Sequence, residues 1–150
     1  MTLKSVSNLD FLCRQIVEQN SLAIICGDRA GLIRLWNKGA EEIFGWTADE
    51  AVGQSMDMII PEKHRAKHWE GYDAVMESGV SKYARSVLSV PALTKNGTRI
   101  SVEFTVVLVK DDDGKVLGVA ATLQDVTERW TRDKELRIRI AELESRIAGK

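Results

Sequence analysis

The chain has 150 residues, of which 44% are hydrophobic and 29% are charged, a composition that suits one soluble globular domain with a hydrophobic core. Lysine and arginine total 21 against 22 aspartate and glutamate residues, so the surface lacks the basic excess that phosphate binding needs. We expect no nucleic-acid partner. The first residues lack the apolar stretch of a signal peptide, and no apolar run reaches the roughly 20 residues that cross a bilayer. We therefore expect a cytoplasmic protein without a membrane partner.

Residues 1–20 predict an amphipathic N-terminal helix. Over residues 8–20, apolar side chains recur at helical spacing on one stripe, which is formed by Leu9, Leu12, Ile16 and Val17. Cys13 falls in this helix and Cys26 in a later apolar strand, and their spacing matches no metal-binding motif. We expect both cysteines to be buried free thiols.

Residues 21–126 predict a domain in which strands and helices are segregated along the chain. Apolar runs at 22–26 and 32–37 flank a glycine-rich turn and predict a β-hairpin. Helical patterns follow between residues 38 and 78, and Gly79 is placed to end the last of these helices.

Three further strands are predicted at residues 85–93, 98–109 and 115–126. Along the middle strand, apolar side chains alternate with polar ones and share one face, which carries Ile100, Val102, Phe104, Val106 and Leu108. Pro91 favours an edge position for the first of the three, because proline cannot donate a backbone hydrogen bond. Strands segregated from helices indicate an α+β domain on an antiparallel sheet.

Residues 127–150 predict a separate C-terminal helix. Asp125 followed three residues later by Glu128 matches a capping box at its start. Beyond it, apolar residues are spaced 4, 3 and 4 apart, as in the seam of a coiled coil, at Leu136, Ile140, Leu143 and Ile147. A surface helix docked on its own domain would also fit, but the dense polar flanks favour a dimerising or output helix.

The order of these elements resembles the PAS fold. The resemblance covers about residues 15–130 and rests on a combination of short segments, namely LAIICGDRAGLIRLWN (22–37), AEEIFGW (40–46), IIPE (59–62), KNGT (95–98) and DVTER (125–129). It implies a five-stranded antiparallel sheet whose flanking short helices enclose a pocket for a ligand or cofactor. It also implies that Asp125 and Thr127 connect this sensory core to a signalling helix, and Glu128 is expected to join this relay through the capping box.

Two histidines, His64 and His68, lie four residues apart and therefore on one face of a predicted helix. A metal pair would need a third ligand, which no nearby Cys or His supplies, and two solvated side chains would need no explanation. A third interpretation comes from the resemblance. His68 follows Pro61-Glu62 in a P-E-x-x-R-x-x-H context similar to that of the proximal histidine in the haem-binding PAS domains of rhizobial oxygen sensors.

This subtype implies haem b with His68 as the axial ligand of the iron. The strand residues expected to line the slot are all apolar, namely Leu88, Phe104, Val106 and Val119. Lys82, Tyr83 and Arg85 are candidates to meet the propionates. Leu88 stands where the oxygen sensors carry a polar arginine, so we expect a pocket that favours CO or NO over O₂ and that reports a diatomic gas or a redox state.

Two alternatives to haem stay open. The flavin photoreceptor subtype needs a reactive cysteine, and residues 59–66 read IIPEKHRA, which excludes that photochemistry but leaves a redox flavin possible. The other alternative is a cofactor-free module that acts by dimerisation and protein interaction. A packed rather than open space beside Phe104 would favour this module.

Catalysis is not expected, because the sequence offers no nucleophile with its base, no paired carboxylates in a cleft and no phosphate loop. The expected partners are a second copy, bound through the helices and the sheet face, and a downstream effector domain or protein. We therefore interpret residues 1–20 as an N-terminal helix, residues 21–126 as a PAS sensory core, and residues 127–150 as a signalling helix.

Overall fold

The computed structural model describes residues 6–83 and 85–149. Residues 1–5 of the predicted N-terminal segment and Lys150 of the C-terminal segment lie outside the described residues. The helices are α1 (Val6–Glu18), α2 (Lys38–Phe44), α3 (Ala48–Ala51), a 3₁₀ helix (Met56–Ile59), α4 (Glu62–Ser78) and α5 (Thr127–Ala148). The strands are β1 (Ala23–Asp28), β2 (Ile33–Trp36), β3 (Leu88–Leu93), β4 (Arg99–Lys110) and β5 (Val116–Asp125).

The five strands form one antiparallel sheet in the order β2-β1-β5-β4-β3. This confirms the predicted α+β class and the five-stranded antiparallel sheet with flanking helices. Strand β3, which contains Pro91, lies at one edge of the sheet, as predicted. It begins at Leu88, so residues 85–87 belong to the segment that joins α4 to the sheet and not to the strand.

The register of β4 assigns its residues to two faces of the sheet. Phe104 pairs with Leu88 on one side and Leu123 on the other, and Leu108 pairs with Val119. Since side chains alternate along a strand, these residues share the face that carries the core. That inner face packs against α2, α3 and the 3₁₀ helix through a buried cluster that includes Ile25, Ile33, Trp36, Phe44, Val102 and Leu123.

A buried asparagine ties the N-terminal helix to this core. The Oδ1 of Asn37 accepts hydrogen bonds from the amides of Ile24 (2.8 Å) and Ala40 (3.0 Å), which caps α2. Its Nδ2 donates to the carbonyls of Val17 (2.8 Å), Leu22 (3.0 Å) and Asn20 (3.3 Å). One side chain therefore joins the end of α1, strand β1 and the start of α2.

The two cysteines differ in their exposure to solvent. Cys13 is exposed on α1, so the prediction that it is buried is wrong, because this side of the helix has no sheet or helix packed on it among the described residues. Cys26 is half-buried, and burial together with the nearby Asp28 carboxylate raises the pKa of its thiol. None of the described helices combines the length and the apolar character needed to cross a membrane.

Candidate functional site

The imidazole of His68 lies half-buried on α4. Its Nδ1 is enclosed and has no hydrogen-bond partner among the described residues. The ring lies 5.8 Å from the ring of Tyr72 and edge-on to that of Trp69 at 4.7 Å. Burial lowers the pKa of His68, and the negative charge of Asp57 opposes this effect only in part. Burial therefore favours the uncharged ring, which is the form that binds metals.

Helix α4 is held by bonds from three of its side chains to other elements. The Tyr72 hydroxyl donates to the Asp28 carbonyl at 2.5 Å, and the Trp69 indole donates to the Asp57 carboxylate at 2.8 Å. Near its start, Arg65 donates to the carbonyl of Ile60 at 3.0 Å. These contacts define which face of α4 meets the domain and therefore where the His68 ring lies.

The turn between β1 and β2 completes this support. Gly31 adopts a left-handed φ of 79°, and a Cβ there would come within 2.2 Å of the Trp69 ring. Arg29 donates to the carbonyls of Val116 (2.6 Å) and Met76 (3.4 Å), which links the turn to β5 and to the end of α4. The hairpin turn therefore fixes the C-terminal half of the helix.

The sequence paired His64 with His68 but did not select it as a site residue, and the structure places it one helical turn before His68 on α4. It is half-buried, and its Nε2 is enclosed without a hydrogen-bond partner within the described part of the chain. The spacing of four residues between the two histidines was the available signal. An unpartnered buried nitrogen on each ring means that the site has unused hydrogen-bonding or ligand capacity on two side chains.

The four apolar residues expected to line a slot all lie on the inner face of the sheet. They are Leu88 on β3, Phe104 and Val106 on β4, and Val119 on β5, and each is half-buried. The fully buried residues form two separate clusters, one beneath α2 and α3 and one beneath the C-terminal half of α4. Phe104 packs against the first cluster and Val119 against the second, so the space beside Phe104 is packed on that side, as the cofactor-free module would have it.

The three candidates for propionate contacts lie on the segment between α4 and β3. Lys82, Tyr83 and Arg85 are all exposed, and the Lys82 ammonium lies 5.0 Å from the centre of the Tyr83 ring. Ala84, between them, lies outside the described residues. Within the described ranges, no group of three or more His, Cys, Asp or Glu side chains is arranged to hold a bare metal ion.

The start of α5 is attached to β4 by side chains from both elements. The Asp125 carboxylate accepts from the amide (2.9 Å) and the hydroxyl (2.5 Å) of Thr127, whose Oγ1 accepts from the Ser101 amide at 2.9 Å. Arg129 donates to the Glu103 carboxylate. The helix thus leaves the sheet at a position set by β4.

The predicted capping box at this helix is wrong. The N-cap position is Val126, which has no capping side chain, because Asp125 still belongs to β5 and lies one residue too early. Glu128 does not reach back to the cap and instead contacts Arg132 at 3.1 Å. Thr127 does join α5 to β4, through its bond with the Ser101 amide, and the Asp125 carboxylate holds Thr127 in place.

Two surface grooves are lined by neither histidine. One, of about 480 Å³, is lined by Trp46, Glu50, Gln54, Ser55 and Met58. The other, of about 420 Å³, lies between the β3–β4 edge and the start of α5, next to Trp130. Neither groove is lined by the candidate cofactor residues.

A model of the protein family described as the PAS fold matches residues 17–130. The chain belongs to the PAS family. Domains of this family are sensory modules that generally do not catalyse reactions, and those in sensor kinases typically dimerise and signal to effector domains.

Relatives of this PAS domain include named sensors. The sensor protein FixL of Bradyrhizobium diazoefficiens is 38% identical over 55 residues, which cover 37% of this chain and 11% of FixL. The oxygen sensor protein DosP of Escherichia coli is 24% identical over 125 residues, which cover 83% of this chain and 16% of DosP. The chain spans less than a fifth of the length of the curated relatives it matches.

Solved structures agree on the fold. An RNA-binding Light-Oxygen-Voltage receptor superposes with a TM-score of 0.74 at 19% identity, covering 94% of this chain and 40% of that one. At this identity the likeness concerns the PAS fold alone.

Proposed function

We propose that this PAS domain binds haem b between α4 and the inner face of the sheet, with His68 as the ligand of the iron. The observation that supports this proposal is the half-buried, uncharged imidazole with an enclosed nitrogen that lacks a partner in the described structure. A haem needs one axial donor and an apolar slot, because the porphyrin supplies the other four ligands. The imidazole donor and the apolar strand residues fit that chemistry, although they do not fit a bare metal ion, and Phe104 and Val119 would have to move from their packed positions to admit the ring.

The other residues would act around the ring. When bound, the haem iron supplies the gas-binding and redox chemistry of the sensor. Leu88, Phe104, Val106 and Val119 would exclude water from its faces. Lys82, Tyr83 and Arg85, all on one exposed segment, would give the propionates cationic and hydroxyl partners.

The slot residues also suggest the signal. Leu88 and its three apolar neighbours carry no hydrogen-bond donor in their side chains, and O₂ depends on such a donor more than CO or NO does. We therefore expect this domain to favour CO or NO, or to respond to the redox state. The relatedness to the oxygen sensor protein DosP supports the general class of signal and not the identity of the gas.

The route from the slot to α5 would pass through two consecutive residues of β4. Phe104 lies on the inner face, and Glu103, on the other face, holds Arg129 of α5. A shift of β4 at Phe104 would therefore move the ion pair at the base of the helix. Asp125 and Thr127 would keep the rest of the junction attached while it moves.

A cofactor-free interaction module is the second candidate. It is supported by apolar side chains left exposed on α1 and on the outer face of the sheet, such as Ile16 (63% exposed) and Val107 (66%). These surfaces, with α5, would bind a second copy of the chain. A redox flavin is a further alternative, and the likeness to a Light-Oxygen-Voltage receptor fits it only at the level of fold.

An absorption spectrum of protein produced with a supply of haem tests the main proposal. We expect a Soret band that shifts with CO, that is lost or strongly shifted in His68→Ala, and that persists in His64→Ala. The second variant is a matched control because both histidines are half-buried on one helix face. Equal effects of the two changes would remove the assignment to His68, and a colourless protein that takes up no hemin would leave the interaction module.

A further inference from the structure

The groove between the β3–β4 edge and the start of α5 has the size and the mixed lining of a small-molecule site. Its volume is about 420 Å³, and small-molecule sites in proteins commonly enclose a few hundred Å³. Side chains of three elements line it, among them Ser89, Pro91, Arg99, Ser101, Thr127 and Trp130. The described residues of this lining supply one aromatic ring, one cation and several hydroxyl groups, and none of them is a carboxylate.

The sheet residues of the groove lie on the face away from the core. Pro91 of β3 pairs with Ser101 of β4. The neighbours of Ser101 along the strand, Ile100 and Val102, are buried in the core. Because side chains alternate along a strand, Ser101 and Arg99 lie on the opposite, outer face. The groove is therefore on the other side of the sheet from the slot proposed for haem.

Trp130 forms the wall of the groove that belongs to α5. It follows Thr127 by three residues, so both side chains lie on one face of the helix. That face meets β4, since the Thr127 Oγ1 accepts from the Ser101 amide. The indole is 52% exposed, and the Lys134 ammonium lies 5.3 Å from the centre of its ring. A large aromatic ring left open beside a groove offers a surface on which a flat aromatic molecule can stack.

The charge of the groove is positive. Arg99 is exposed, and among the described residues its guanidinium takes part in no ion pair. The first acidic residue along this face of β4, Glu103, is bound by Arg129. Lys134 adds a second cation next to Trp130. A guanidinium presents paired N–H donors that match the oxygens of a carboxylate or a phosphate, so these charges favour an anionic ligand.

We propose that this groove binds a small, flat aromatic anion, whose ring stacks on Trp130 and whose carboxylate or phosphate group meets Arg99. The site uses none of the residues assigned to the haem. A molecule bound there contacts Ser101 and Thr127, whose hydrogen bond attaches α5 to β4. It therefore stabilises the docked start of α5 without entering the core, and its effect on the output rests on the relay role proposed for this helix.

Calorimetric titration of the full chain with naphthoate tests the proposal. We expect saturable binding, and much weaker binding of naphthamide, which lacks the charge, and of decahydronaphthoate, which lacks the aromatic ring. Trp130→Ala and Arg99→Gln should each raise the dissociation constant on the order of tenfold, because each change removes one of the two main contacts. Arg139→Gln removes a charge on the opposite side of α5 and should leave the constant unchanged.

Naphthyl phosphate distinguishes the two anionic groups. Binding of either naphthoate or naphthyl phosphate with this dependence on Trp130 and Arg99 supports the site, and the tighter of the two identifies the anion. No saturation by either compound below about 1 mM, or equal constants in the original chain and the two variants, would overturn it. A second copy covering the groove would also exclude both compounds, and Trp130→Ala would then weaken self-association in sedimentation, which refutes the proposal as well.

Hydrogen exchange locates the bound molecule. With saturating naphthoate, the amides of Ser101 and of the first turn of α5 should exchange more slowly in the original chain but not in Trp130→Ala. Protection confined to Phe104 and Val106 would place the compound in the inner slot and would refute the outer site, as would unchanged exchange.

The haem proposal is decided separately. Both variants change exposed side chains on the outer side of the sheet, so they should stay folded in urea titrations and keep the absorption spectrum of the original chain. Colourless protein that binds naphthoate with the expected pattern would remove haem and keep the groove. Coloured protein that binds neither compound would do the opposite.

Discussion

The hydroxyl of Tyr72 offers a sharp test of how α4 is held over the sheet. It is 8% exposed, and its hydroxyl donates to the carbonyl of Asp28 at 2.5 Å. Tyr72→Phe deletes this one oxygen and keeps the ring that packs with Met76 and Val116. The change therefore isolates the hydrogen bond from the apolar contacts.

The expected cost at neutral pH is about 1 kcal/mol in the free energy of unfolding. A buried carbonyl left without any partner would cost more, roughly 1–3 kcal/mol. The Asp28 carbonyl, however, also accepts from the Gly31 amide at 2.9 Å, so it stays paired in the variant. Only the net value of one hydrogen bond is lost.

The curves of unfolding free energy against pH should cross for the original protein and Tyr72→Phe. Burial, with smaller contributions from the charges of Cys26 and Asp28, raises the pKa of Tyr72 to about 12, from an ordinary value near 10. Because the folded state binds this proton more tightly, its stabilising effect is complete below about pH 10 and is lost as the pH rises toward 12. The loss is on the order of 2 kcal/mol, and Tyr72→Phe cannot show it.

Urea unfolding from about pH 7 to about pH 12 measures this difference. The original protein should be the more stable one at pH 7, and the variant should become the more stable one above about pH 11, where the cost of the buried phenolate exceeds the lost hydrogen bond. The chain has one other tyrosine, Tyr83, so in Tyr83→Phe the tyrosinate absorbance reports Tyr72 alone. Parallel stability curves, or a Tyr72 that titrates near pH 10, would refute the buried hydroxyl.

Two further predictions concern the attachments of the terminal helices. Asn37→Ala removes the oxygen that accepts from two amides and the NH2 group whose two hydrogens are shared among three carbonyls. It should cost about 3–4 kcal/mol in urea unfolding with an unchanged m value, and a loss below about 1 kcal/mol would contradict its bridging role. Glu103→Gln weakens the exposed pair with Arg129, so amides in the first turn of α5 should exchange hydrogen faster while the urea midpoint barely moves. Unchanged exchange would show that Asp125 and Thr127 hold the junction without this pair.

The position of the site within the fold follows from long-range contacts. The hairpin turn after β1 supports α4 through Arg29 and Gly31, and α4 in turn presents His64 and His68. A change of the turn would therefore move the histidines without touching them. Strand β4 likewise carries Phe104 on one face and the anchor of α5 on the other, which is the geometry that the proposed relay uses.

Short-range patterns in the sequence were sufficient for the elements and the family. The alternation along β4, the glycine turns at Gly97 and Gly114 and the stop at Gly79 are all properties of a few neighbouring residues. All three glycines adopt the left-handed conformation that other residues avoid. Together with the motifs that resemble PAS domains, these local signals predicted the five-stranded sheet and the C-terminal helix.

The tertiary structure alone decided the surroundings of each side chain. Whether His64 is enclosed, whether Cys13 is exposed and which residue holds the start of α5 depend on segments distant in the chain. The Tyr72 hydroxyl meets a carbonyl 44 residues away, and Arg29 reaches one 87 residues away. Strand order brings such partners together, and strand order results from the packing of the whole domain and not from any local pattern.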